Sequence, residues 1–255
     1  MTGEDTRAAL FEYLLRLGDS SLVLGQRLSE WCGHGPELEE DIALINVALD
    51  LIGQARSLLS YAGEVEGRGR DEDALAFLRD GTGYRNLLLV EQPNGNFADT
   101  IARQFLFDAF HLELLSALTG SRDEVLAAIA GKSVKEATYH LRHSSEWVVR
   151  LGDGTPRSHD KMQSALDGLW MYSGELFEMD ALERGLAEAG VAADRTALRP
   201  RWDARVSAVI EDATLQRPDD GWMQSGGLQG RHSEHLGHLL AEMQHLQRAH
   251  PGAEW

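Results

Sequence analysis

The sequence predicts an all-α chain built on a four-helix bundle, on three observations. Its six prolines each sit beside a likely breaker such as Gly, Asp, Arg or His, and the long segments between them carry none. Those segments are dominated by Leu, Ala, Glu, Arg and Gln, all good helix formers. β-Branched residues are thin and never alternate in the period-two pattern that a strand requires.

Taken in order at 100° per residue, Leu10, Leu14, Leu17, Ser21, Leu24 and Leu28 fall in one stripe of a first helix that ends near Trp31, with a kink expected at Gly18. A second helix, 37–64, has a broad apolar arc including Ile45, Val47, Leu49, Leu51, Ile52, Leu58 and Leu59, with Asn46, Asp50 and Gln54 as a polar ladder opposite. The turn Pro93-Asn94-Gly95-Asn96 caps a third helix running from Phe97 to about Leu118. Its apolar residues surround the axis, so it is expected to be central and buried, with Asp108 inside. A fourth helix, bent at Gly131, is expected to run to Leu151 with Val134, Ala137, His140, Leu141, Ser144, Val148 and Leu151 on one face. Four such helices with loops of moderate length describe a bundle. Residues 158–250 predict three or four further helices, broken at 188–194 and 217–230. With no composition shift marking a linker, 1–255 reads as a single domain: a core bundle over about 5–152 and a C-terminal helical layer over about 157–255.

With 24 Lys+Arg against 41 Asp+Glu, the 255-residue chain carries a formal charge of -17, which repels a phosphate backbone and excludes nucleic acids and anionic membranes as partners. The lone Cys32 cannot form an internal bridge and reads as a buried small hydrophobe. The acidic start MTGED has neither a basic nor an apolar leader region, and no apolar run approaches a bilayer's span, so a reduced, cytoplasmic protein is expected.

The usual anchors of nucleophilic, nucleotide and zinc-finger chemistry are absent: no G-x-S-x-G, no G-x-x-x-x-G-K, no G-x-G-x-x-G between strand and helix, no paired C-x-x-C. An acid-rich bundle invites a di-iron carboxylate site, in which Glu and Glu-x-x-His project inward. Glu-x-x-His occurs once, at Glu242 and His245, on the side of its helix opposite the apolar stripe, which reads as exposed surface rather than a ligand pair. Asp108 and His111 share a face of the third helix. They are either half of a ligand set or a buried carboxylate paired with a neighbouring histidine or arginine. On the fourth helix His140 lies on the core stripe, and Ser133 with Glu136 fits a capping box.

Three stretches carry a resemblance: EWCGHGPELEEDIALINVALDLIGQARSLLSYA (30–62), NLLLVEQPNGNFADTIARQF (86–105) and HLGHLLAEMQHLQR (235–248). They resemble the C subunits (PaaC) of the bacterial multicomponent phenylacetyl-CoA epoxidases, ferritin-like relatives of the multicomponent monooxygenases. The likeness runs from Leu14 to Trp255. It implies an all-α, ferritin-like four-helix bundle with additional C-terminal helices, and a partner, the homologous A subunit, that holds the di-iron centre. The A-type second helix reads D-E-x-G-H; here Asp50-Leu51-Ile52-Gly53-Gln54 puts Leu51 and Gln54 at ligand positions. The A-type fourth helix reads K-E-E-x-x-H; here Lys135 to His140 puts Ala137 in place of the Glu and keeps the His. The first-helix position falls on Ser21 and the third-helix one on Asp108. Ser21, Leu51, Gln54, Asp108, Ala137 and His140 thus stand as degenerate ligand positions, with no catalytic or metal-binding residue and no cofactor in this chain.

The resemblance further implies a structural role in aerobic phenylacetate catabolism, with no enzyme activity of the chain alone. The complex would include a small B subunit and a reductase carrying FAD and iron–sulfur, with NADPH as electron source and phenylacetyl-CoA as substrate. The loop Gly81 to Asn86 combines glycines, an aromatic and a cation. It reads either as an ordinary connection or, through Tyr84, Arg85 and Asn86, as part of a CoA site at a subunit interface. The rival reading is a stand-alone di-iron oxidase with a relocated set drawn from Asp50, Asp108, His111, Glu136 and His140.

Overall fold

A computed structural model describes residues 3–253, all of them helix, turn or loop, with no strand among them. The expected all-α, ferritin-like class is what is found. The chain divides into two compact units, one holding residues up to Gln92 together with those from Gly226 on, the other 93–225. Each is built around two long helices.

In the first unit α1 (Gly3–Ser29) turns back as α2 (Leu38–Glu66). α1 continues as helix through Gly18. A Cβ there would lie 2.9 Å from Leu59 Cδ2, so the missing side chain lets the two helices approach closely. Leu14, Val23, Leu24 and Leu28 of α1 and Leu44, Val47, Leu51, Leu58 and Leu59 of α2 are buried where the two helices pack together. The polar ladder read on α2 is not uniform: Asn46 is exposed and Asp50 half-buried, but Gln54 is buried, and Leu49 of the expected core arc is exposed. The helix's apolar surface is wider than the core it faces.

Residues 67–92 follow α2 and carry no periodicity that predicts their shape. The short α3 (Glu72–Phe77) is capped by Asp71, which accepts from Ala74 N at 2.8 Å. Two 3-10 turns follow at Gly81–Gly83 and Leu88–Glu91.

In the second unit α4 (Phe97–Leu118) starts where the sequence places it, with Asn96 and Asp99 forming a reciprocal capping box. It is buried nearly all round. α5 (Glu124–Gly152) begins at Asp123, whose carboxylate accepts from Leu126 N at 2.9 Å, and passes through the exposed Gly131 as continuous helix. That earlier start overturns the cap read at Ser133. Ser133 is buried in mid-helix, and its hydroxyl donates to Ile129 O at 3.0 Å. Then come α6 (Pro156–Leu169), α7 (Ala181–Glu188) and α8 (Arg199–Asp212). Trp202 of α8 donates its indole N–H to Leu106 O of α4 at 3.0 Å and packs against Trp170 and Phe177, centroids 5.6 and 5.3 Å away.

After Gly226 the chain returns to the first unit and adds α9 (Glu234–Met243) and α10 (His245–Ala249) to it. The residues expected as one C-terminal layer are thus shared out, 156–225 to one unit and those from 226 to the other.

Candidate functional site

Helical spacing alone gathers the chemistry of the second unit. Gln104, Asp108 and His111 recur every three or four residues along one face of α4, as Ala137, His140, Ser144 and Val148 do on α5. Asp108 is buried, and both its oxygens are engaged: Gln104 Nε2 donates to Oδ1 at 2.6 Å and Ser144 Oγ to Oδ2 at 2.8 Å. Burial pushes its carboxyl up to about 6, against the opposing pull of His140, Ser144 and Gln104. His111, its ring 4.8 Å from that of Phe107, is driven down to about 3 by burial and then by His140. His140 and Ala137 are fully enclosed. Asp108 is thus held internally by an amide and a hydroxyl, not by the hydrogen-bonding histidine or arginine expected beside it. Ser144 had a place on the core stripe as a small residue; Gln104, its fellow donor, was readable as the residue one turn before the acid.

In the first unit Ser21, Leu51 and Gln54 are all buried. Leu51 and, in the second unit, Ala137 offer no donor atom. Among the described residues no three His, Cys, Asp or Glu side chains come together in a group able to hold a metal ion. The relocated set of Asp50, Asp108, His111, Glu136 and His140 is therefore not assembled. Glu242, His245 and His238 are exposed, as their place opposite the apolar stripe requires. Cys32 is exposed, not buried, because α1 has ended at Ser29 and the cysteine lies in the following turn.

The loop 81–86 is held from all sides. Tyr84 is buried, with its hydroxyl donating to Ala76 O and its ring 4.5 Å beneath Arg79. Asn86 is buried and donates to Leu87 O at 3.0 Å and Glu91 Oε2 at 3.3 Å. Of the three residues only Arg85 retains exposed surface, with Nε on Glu12 Oε1 at 2.6 Å. Behind them Arg79 pairs with the buried Asp19 through both carboxylate oxygens. Glu91, also buried, accepts from Ser233 N at 2.8 Å, and His232 Nδ1 lies 3.2 Å from its other oxygen. Nothing local in the sequence points to Asp19, Arg79 or Glu91, since their partners lie far away along the chain.

A family model described as "Phenylacetic acid catabolic protein" matches residues 1–255. The chain belongs to the phenylacetic acid catabolic protein family. Within that family it is 57% identical, over 246 residues covering 96% of this chain and 99% of the relative, to the C subunit of the 1,2-phenylacetyl-CoA epoxidase of Escherichia coli strain K12. The di-iron centre that the resemblance assigns to a sister subunit does not fit these residues. Of the six positions that the resemblance sets at ligand places only Asp108 and His140 carry a metal-binding side chain, and both oxygens of Asp108 are already hydrogen-bonded.

Proposed function

We propose that this chain is the structural C-type subunit of a phenylacetyl-CoA epoxidase, serving phenylacetate catabolism by supporting a catalytic sister subunit and not by activating oxygen itself. The donor set carries the reading. Leucine and alanine stand where a di-iron relative needs carboxylates, and the one carboxylate left is satisfied by Gln104 and Ser144. A bundle filled this way keeps as packing the stability that its relative spends on a buried charged site.

On this reading the di-iron centre belongs to the A subunit, FAD and iron–sulfur to a reductase fed by NADPH, and a small B subunit completes the complex in the cytoplasm. A contribution to the CoA site narrows to Arg85, because Tyr84 and Asn86 are committed inside the protein. The test is co-expression with an A-type subunit, then size exclusion and iron analysis. The pair should co-elute and epoxidise phenylacetyl-CoA, with the iron following the A subunit. In the same complex Arg85→Ala should raise KM several-fold at unchanged kcat; an unchanged KM removes Arg85 from the site. A pair of irons bound to the chain purified alone, with oxidase turnover, would overturn the whole reading.

A further inference from the structure

One row of α2 is left largely exposed by the fold. Leu38, Ile42, Ile45 and Leu49 follow at intervals of four, three and four residues, the seam spacing of a helix that packs on another helix, while Ile52, next in the spacing, turns inward against Gly25 of α1. Leu38, Ile42 and Leu49 are 71%, 51% and 61% exposed, and Ile45 and Ile52 are half-buried. The same helix meets its own core through Leu44, Val47, Leu51 and Leu58. The outer row is roughly 17 Å long at the helical rise. In register beyond it stands Arg56, already paired with Glu72 at 3.0 Å. Four aliphatic side chains in line exceed the scatter of single apolar residues that any surface carries.

The charges around the row narrow the occupant. Glu39, Asp41 and Asp50 border it, and no Lys or Arg occurs between 38 and 55. Asp41 is fixed there by accepting from Gly35 N at 2.9 Å. Two copies packed row to row, in either direction, would set acids against acids in a chain already at -17. The complement is a helix of a different chain, with an apolar row of its own bordered by lysine or arginine.

We propose that the outer row of α2 is the face on which such a helix of the catalytic sister subunit docks. This inference rests on the heteromeric reading above. The test measures affinity between separately purified subunits for the wild type, for Ile42→Glu/Leu49→Glu, for Glu39→Lys/Asp50→Lys, and for Val125→Glu, which alters an exposed aliphatic residue outside the row. The double glutamate variant should melt like the wild type and bind more than about tenfold more weakly. The lysine pair, which leaves the apolar row intact, should also weaken binding, most at low salt, and Val125→Glu should bind normally. Wild-type affinity in both double variants overturns the docking face while the heteromeric reading stands. Failure of the wild-type chain to bind the sister overturns both. If the chain alone dimerises and only Ile42→Glu/Leu49→Glu makes it monomeric, the row joins two copies and the proposal falls.

Discussion

Asp108 and His111 lie one helical turn apart and respond to pH in opposite senses. Asp108 holds its proton more tightly in the folded chain, about 6 against an ordinary 3.8, so its contribution to stability falls as pH rises through that window and is flat above it. The difference amounts to about 3 kcal/mol at most. His111 is kept neutral when folded, about 3 against 6.5, so its contribution falls as pH drops below about 6.5. Between about pH 4 and 6 the two slopes oppose each other. Urea unfolding at stepped pH should therefore give Asp108→Asn a steeper loss of stability on acidification than the wild type, and His111→Leu a shallower one. Parallel profiles for all three proteins would refute the opposition. That Asp108 lies inside was legible, because apolar residues surround α4. The exposure of Cys32 was not, because a residue just past a helix end has no periodicity to read.

At the scale of elements, the long helices were readable and the connections were not. α4 begins where Asn96 caps it, and α1 and α2 end within two residues of expectation, because periodicity and turn chemistry are local. Residues 67–92 owe their shape to distant partners. Gln244, at the junction of α9 and α10, donates to Ala76 O and Arg79 O at 3.0 Å and to Tyr84 Oη at 3.2 Å. No window of neighbouring residues holds that information. Gln244→Ala removes one donor each from Ala76 O and Arg79 O, which keep Tyr84 and Arg248, and should cost about 1 to 2 kcal/mol. Amide exchange should then quicken in α9 and α10 ahead of α1. Unchanged protection of those two helices would mean that the glutamine does not anchor them.

For the whole molecule, the acidic excess sets the response to salt. Many of its ion pairs are surface ones, such as Arg199–Asp203 and Arg217–Asp220, and are worth little individually. Repulsion among the excess carboxylates is the larger effect, so raising ionic strength toward about 0.15 M should raise Tm. A Tm that falls steadily with added salt would show that paired charges outweigh the excess.

The first unit is discontinuous along the chain, and that orders events during synthesis. Asp19, Arg79 and Glu91 leave the ribosome early, whereas His232, Ser233 and Gln244, which close over their loop, emerge only after the entire second unit has been made. At each round of translation the first hairpin must wait, its polar interior unsealed, while residues 93–225 fold. A stop codon near residue 226 would therefore harm the beginning of the protein more than its end.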